Sequence, residues 1–159
     1  MIKKTLAAIA LAAALLAPVA LAEPIPANGT TPAQIQRWLS TRGMVGQIKQ
    51  GKDSPYISLK TTGGLTWEVD FYNCDSGSPP HCPSIQFTAW WTGTFTKDMA
   101  NSWNRDYRYL KAYVDDDLKT ITVQQDVMLV NGITTEQLNQ DLDIWLERLP
   151  KFDDHVAKK

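Results

Sequence analysis

Two segments of the chain carry apolar residues at the spacing of an α-helix. The first opens at Thr31 and Pro32, because Thr can accept from free helix amides and Pro fits a first turn. Its apolar positions are Ile35, Trp38 and Leu39. Gly43 is typical of the residue that follows a helix. The pattern therefore predicts a helix from Thr31 to about Thr41.

The second helical segment begins at Thr134, which is three residues before Gln137 and can form a capping box with it. The apolar face that follows contains Leu138, Leu142, Trp145, Leu146 and Leu149. Pro150 removes a helix hydrogen bond. We therefore expect this helix to end there and residues 151–159 to form a frayed tail.

Between the two helical segments, apolar residues recur at every second position, which is typical of half-buried strands. Residues 44–93 predict an antiparallel meander of three strands. Thr96 can cap a short helix, and residues 107–130 predict a hairpin around Asp115-Asp116-Asp117. The pattern thus indicates an α+β fold, with an antiparallel sheet of about five to six strands and the element order α-β-β-β-α-β-β-α.

The first residues of the chain predict export. Lys3 and Lys4 precede a short apolar run that closes on the small-x-small pattern Ala20-Leu21-Ala22. We expect a signal peptide over residues 1–22, cleaved after Ala22, and a periplasmic or secreted protein. The alternative is a membrane anchor, but a spanning helix needs roughly 20 uninterrupted apolar residues. No stable membrane insertion is expected.

The mature chain is mildly acidic. Of the 16 Lys and Arg residues, Lys3 and Lys4 belong to the signal peptide, which leaves 14 against 17 Asp and Glu. A nucleic-acid partner needs clustered cations, and no basic stripe occurs, so no nucleic acid is expected. The length suits a flexible leader at residues 23–30 and one domain at residues 31–150.

Cys74 and Cys82 are the two cysteines, and they border a polar loop. Thiols are normally paired in an oxidising compartment, so export predicts a Cys74–Cys82 disulfide. The alternative is metal binding by these cysteines with His81, but a fourth ligand is missing.

The sequence gives no sign of catalytic chemistry. His81 falls in the cysteine loop and His155 in the predicted tail, where a rigid catalytic pair is not expected. Phosphate loops, zinc-protease helices and nucleophile elbows do not occur. Asp115-Asp116-Asp117 could hold calcium, but the spacing of a calcium loop is absent and a solvated turn is the simpler interpretation. We expect no catalytic residue, no metal and no cofactor.

Trp90 and Trp91 are adjacent at a predicted strand end. Because neighbours on a strand point to opposite faces, the two indoles cannot both enter one core. One of them must therefore lie under a helix or be exposed as a contact anchor.

Three stretches of the chain together show a family resemblance. They are Trp67–Cys74 with Cys82–Trp91, then Ser102–Arg105 leading into Leu110–Asp117, and finally Gly132–Thr134 opening the last helix through Trp145. With these stretches the chain resembles the YbjN family of small bacterial proteins. The resemblance implies a fold similar to that of type III secretion chaperones, with helices on one side of an antiparallel sheet. Such folds often dimerise and bind polypeptide segments, and family members are described as sensory transduction regulators.

Trp103, Asn104 and Arg105 are the family-motif residues that could bind a partner, together with Trp90 and Trp91. Arg105 could pair with a partner carboxylate beside an aromatic platform. Alternatively, Asn104 caps the turn, Arg105 bonds local carbonyls and Trp103 seals the sheet edge.

The resemblance and the missing catalytic groups together predict a non-enzymatic, polypeptide-binding or chaperone-like regulatory module in the periplasm. Its expected partners are a protein or peptide, or a second copy in a homodimer. The alternative is a self-associating structural or envelope-stress protein without a separate ligand.

Overall fold

The computed structural model describes residues 25–131 and 133–157, which form six strands and three helices. In chain order these are α1 (Pro32–Thr41), β1 (Gln47–Gln50), β2 (Pro55–Lys60), β3 (Thr66–Tyr72), β4 (Ser84–Thr92), α2 (Lys97–Asp106), β5 (Lys111–Val114), β6 (Thr120–Met128) and α3 (Thr135–Ala157). The predicted α+β class is confirmed. The predicted signal peptide over residues 1–22, Gly132 and the last two residues of the predicted tail lie outside the described part.

The six strands form one antiparallel sheet in the order β1-β2-β3-β4-β6-β5. The sheet contains one strand more than the predicted element order, because β1 precedes the expected meander. β1 has the sequence Gln-Ile-Lys-Gln, and its only apolar side chain, Ile48, lies opposite Ile57 of β2. A single apolar residue shows no alternation, so pairing with β2 rather than local pattern defines this strand.

The helices cover one face of the sheet and enclose the core. At the centre of this face, the Trp145 ring centroid of α3 lies 5.9 Å from that of Trp67 and 5.8 Å from that of Phe87. The indole Nε1 of Trp38 donates to Asn139 Oδ1 at 2.9 Å, which ties α1 to α3. The covered face is thus fixed by aromatic packing between layers and by a hydrogen bond between helices.

The two predicted helix starts are confirmed by their caps. Thr31 and Gln34 form a reciprocal box at α1, which ends at Thr41 as expected. At α3, the Thr134 amide donates to Gln137 Oε1 at 3.0 Å and the Gln137 amide donates to Thr134 Oγ1 at 3.3 Å. Each pair satisfies amides that a helix start would otherwise leave open.

The expected end of the last helix at Pro150 is wrong, because α3 continues through Pro150 to Ala157. Phe152 and Val156 extend the apolar face beyond Leu149 and are buried in the core. Their burial outweighs the one hydrogen bond that Pro150 removes. The described part of the predicted tail is therefore an integral part of the domain. Even with this extension, no helix in residues 25–131 and 133–157 is long and apolar enough to cross a bilayer.

The described part of the predicted flexible leader is also fixed to the domain. Ile25 is buried, and its amide donates to the Ile133 carbonyl at 2.9 Å. Thr30 pairs with Cys82 through two backbone hydrogen bonds of 3.1 and 2.8 Å. Gly29 has φ +93°, and a Cβ there would lie 2.2 Å from the Cys82 carbonyl oxygen, so only glycine fits this approach.

Cys74 and Cys82 are joined by the predicted disulfide, between β3 and β4. Within the closed loop, the Asp75 carboxylate accepts from the amides of His81 and Gly77 at 2.9 and 3.0 Å. These two hydrogen bonds lower the pKa of Asp75. The loop that carries the leader contact is therefore organised by one covalent bond and one carboxylate.

Replacing both cysteines, in Cys74→Ala/Cys82→Ala, is expected to lower the free energy of unfolding by about 2–3 kcal/mol, because a short cross-link limits the unfolded chain. Urea denaturation of the oxidised and reduced proteins would measure the loss. Reductant should bring the wild-type protein down to the stability of the variant and leave the variant unchanged. Equal denaturation midpoints for the oxidised wild-type protein and the variant would contradict a stabilising role for the disulfide.

Candidate functional site

The sheet has a second face, opposite the one that the helices cover. Side chains alternate along each strand, so the strand register identifies the residues of this second face. No helix within the described residues covers it, and several of its large side chains are exposed. We call this surface the open face. On the adjacent strands β3, β4, β6 and β5 its central side chains are Glu68, Asp70, Tyr72, Ser84, Gln86, Thr88, Trp90, Tyr113, Thr122, Gln124, Asp126 and Met128.

The open face has an apolar row at each end. Tyr72 and Met128 form one row, because both lie opposite the same residue of β4. Trp90 and Tyr113 form the other, because both lie opposite Thr122 of β6. The four large side chains are 43–60 % exposed. They are therefore half-embedded in the sheet, with the remaining surface available for contact.

Two polar rows separate the apolar rows and contain three carboxylates. Asp70 and Asp126 lie on either side of Gln86, and Glu68 lies in the next row. The Tyr72 hydroxyl donates to Gln86 Oε1 at 3.4 Å, and Gln86 Nε2 donates to Asp126 Oδ1 at 2.6 Å. Hydrogen bonds thus connect one apolar row to the acidic centre.

Two of the three carboxylates, Asp70 and Glu68, are incompletely solvated. Burial raises the pKa of Asp70, while a hydrogen bond with Thr88 opposes the rise. Burial also raises the pKa of Glu68, and the charge of Asp70 adds to it, whereas Lys49 lowers it. Burial, followed by the charges of Asp70 and Asp126, raises the pKa of the Tyr72 phenol. Negative charge at the centre of the open face therefore carries a desolvation cost.

The adjacent tryptophans point to opposite faces, as predicted. Trp91 lies on the covered face, where its ring centroid is 5.0 Å from that of Phe152 and its Nε1 donates to Asp153 Oδ1 at 2.7 Å. Trp90 lies on the open face and is 44 % exposed. Trp91 is therefore packed under α3, and Trp90 is available for contact.

Trp103 and Asn104 point into the domain and hold the outer edge of the sheet. Trp103 is fully buried, and its Nε1 donates to the Leu110 carbonyl at 3.1 Å. The Asn104 side chain donates to the Ala112 carbonyl at 2.9 Å and accepts from the Ala112 amide at 2.8 Å. The Asn104 side-chain amide thus bonds to the outer edge of β5 as a neighbouring strand would, and it protects that edge from pairing with another chain.

Arg105 differs from its two neighbours, because its side chain is 71 % exposed. Its Nε lies 2.9 Å from Asp106 Oδ1 on the same helix. Trp91 and Trp103 are brought together through Phe152, which contacts both rings. Arg105 and Trp90 do not join that cluster. A partner contact by Arg105 stays a prediction.

His155 lies on α3 and links it to α2. Its Nε2 is 2.9 Å from the Met99 carbonyl oxygen and 3.3 Å from Ser102 Oγ. The Ser102 hydroxyl donates to the same carbonyl at 2.9 Å, so its proton is not directed at the imidazole. This arrangement is a structural link between helices and lacks the geometry of a nucleophile with its base.

Asp115-Asp116-Asp117 forms the exposed turn between β5 and β6, in which Asp117 accepts from the Lys119 amide at 3.0 Å. Across the described residues, no group of three or more His, Cys, Asp or Glu side chains is placed to hold a metal ion.

The sequence interpretation missed the rows of the open face. Alternation along β3 puts Glu68, Asp70 and Tyr72 on one side of that strand, but it does not put them beside Asp126 and Met128. The available signal was the alternation within each strand, which identifies a face but not the neighbours across it.

Comparisons with known proteins agree with the fold. Residues 96–158 match the sequence model of the YbjN family, described as "Putative bacterial sensory transduction regulator". This range includes the Ser102–Arg105 stretch, whereas the Trp67–Trp91 stretch lies outside it. The crystal structure of YbjN from E. coli, described as "a putative transcription regulator", has the same fold with a TM-score of 0.50 and 18 % identity. That similarity covers 79 % of this chain and 84 % of the E. coli chain. Comparison with curated proteins gives no match.

Proposed function

We propose that this chain, whose residues 96–158 match the YbjN family model and whose fold is similar to that of the E. coli YbjN structure, is a non-enzymatic module that binds extended polypeptide segments on the open face. The supporting observation is the pair of apolar rows, in which Tyr72, Trp90, Tyr113 and Met128 are all partly exposed. Single exposed apolar residues are ordinary on protein surfaces. Two pairs of them, one at each end of a helix-free sheet face, form two partly exposed apolar contact points that a partner could use together.

A binding module of this kind is compatible with the regulator descriptions of the family and of the E. coli protein. We place the activity in the periplasm or outside the cell, after cleavage following Ala22. The basic and apolar start of the sequence supports export. The Cys74–Cys82 disulfide suits an oxidising compartment.

The mature, oxidised protein is expected to suppress the aggregation of an unfolded test protein at stoichiometric concentrations, and Trp90→Thr is expected to weaken this suppression several-fold. Threonine keeps the strand preference but removes the indole from the apolar row. Light scattering would measure the aggregation, and circular dichroism would show that the variant is folded.

Leu118→Asn is the matched control. It removes an exposed apolar side chain in the β5–β6 turn, where φ is +59° and Asn is tolerated. Equal loss of suppression in both variants, or no suppression by the wild-type protein, would contradict the proposal. An obligate dimer that retains no other polypeptide would support the self-associating alternative instead.

A further inference from the structure

We infer that the open face selects cationic segments, namely extended polypeptides with Lys or Arg side chains between apolar residues. The inference rests on the proposed function, because it names the class of partner for the same surface. Two features carry it: the charge of the polar rows and the distance between the apolar rows.

The three carboxylates have no basic side chain beside them on the central strands. On β3, β4 and β6, the residues of the open face include Glu68, Asp70 and Asp126 but no Lys or Arg. The ion pairs found within the described residues do not involve these three groups. Lys49 of the edge strand β1 already acts on Glu68 through its charge, and a partner ammonium or guanidinium would supply further positive charge through charge-assisted hydrogen bonds. Exposed Tyr and Trp rings at both ends add surfaces that attract cations.

The basic residues of the open face lie at its margins. Lys49 is on the edge strand β1, Lys111 is on the edge strand β5, and Lys60 is the last residue of β2. They would repel a cationic partner from the edges and favour binding along the central strands.

The spacing of the rows defines the length of segment that fits. On β4, Ser84 marks one apolar row and Trp90 the other. At about 3.3 Å per strand residue, the two rows are roughly 20 Å apart. An extended segment lying along β4 would place apolar residues about six positions apart on the two rows. The residues between them would lie over Gln86 and Thr88, beside the carboxylates.

The same charge pattern disfavours a second copy of this chain as the occupant. A two-fold interface pairs each patch with itself. A two-fold interface centred on the open face would bring the acidic rows of two copies together. Like charges that face each other in an interface cost free energy.

The test compares three labelled nine-residue peptides that have apolar residues six positions apart. The peptides differ only in two of the residues between these apolar positions, which are both Lys, both Gln or both Glu. Fluorescence anisotropy with the mature, oxidised protein would give the affinities. We expect the Lys peptide to bind about 10-fold more tightly than the Gln peptide, a difference of about 1.4 kcal/mol. We expect the Glu peptide to bind most weakly and added salt to reduce the difference.

Asp70→Asn/Asp126→Asn is expected to abolish the preference for the Lys peptide. Asp53→Asn/Asp116→Asn removes the same amount of charge from exposed positions outside the open face. This control variant should retain the preference for the Lys peptide. Preference for the Lys peptide that survives in the first variant would overturn the inference.

Equal binding of all three peptides would also overturn the inference and leave the proposed function standing. If no peptide bound and aggregation were not suppressed, the proposed function itself would fail. A wild-type protein that sediments as a dimer, with Trp90→Thr sedimenting as a monomer, would place a second copy on the open face and overturn both.

Discussion

Trp103→Ala is expected to lower the free energy of unfolding by about 3–5 kcal/mol, the usual range for removing a large buried aromatic ring. The Trp103 ring stacks on Tyr107 with centroids 4.1 Å apart and meets Phe152 edge-on at 4.8 Å. Truncation would leave a cavity between α2 and α3 and would also remove the donor to the Leu110 carbonyl. Urea denaturation followed by circular dichroism would measure the change.

Arg105→Ala is the matched control within the same motif. Since its side chain is 71 % exposed, its loss should change the free energy of unfolding by less than about 0.5 kcal/mol. A small effect of Trp103→Ala on stability, accompanied by loss of polypeptide binding, would contradict the structural role. Loss of polypeptide binding in a fully stable Arg105→Ala variant would support the prediction that Arg105 contacts a partner.

The caps and the main strands could be predicted because they depend on residues two to four positions apart. Thr31 with Gln34, and Thr134 with Gln137, show this at the two helix starts. Alternation similarly separates Trp67, Val69 and Phe71 from their polar neighbours on β3. Such signals are local, so they persist without knowledge of the rest of the fold.

β1 could not be predicted, because its pairing with a neighbouring strand defines it, whereas the end of α3 was predicted wrongly because Pro150 was taken to stop the apolar period. β1 exists through its pairing with β2, although all four of its residues are exposed. At Pro150, the local cost of proline is real. Phe152 and Val156 nevertheless continue the helical spacing of Trp145 and Leu149 and are buried, so the apolar period was the better guide than the proline.

The candidate site depended even more strongly on tertiary structure. The resemblance selected Trp103 and Asn104, which the fold directs inward to β5. Met128 and Tyr72 become neighbours only through Ser84, which lies on the strand between them. Register between strands cannot be obtained from alternation, so the rows of the open face were invisible in the sequence.

Phe152→Ala is expected to lower the free energy of unfolding by about 3–5 kcal/mol, and a chain that ends at Pro150 should lose at least as much. Phe152 is fully buried and contacts the rings of Trp91 and Trp103. Lys151→Ala is the control, because its ammonium pairs with Glu147 at 2.7 Å on the surface and exposed ion pairs contribute little to stability. A truncated chain as stable as the full one would show that residues 151–157 are a dispensable tail.

A double-mutant cycle would show whether the end of α3 and the family-matched motif stabilise each other. Trp103→Phe and Phe152→Leu are mild enough to keep the domain folded, and the two rings are in direct contact. We expect their losses to be non-additive by about 0.5–3 kcal/mol, as for contacting residues. Additive losses would mean that the two rings stabilise separate parts of the chain. Coupling would instead show that α2 and the end of α3 stabilise each other through this contact. Because Trp103 and Asn104 also bond to residues 110 and 112 at β5, the contact would help to hold the edge strand that carries Tyr113 of the open face.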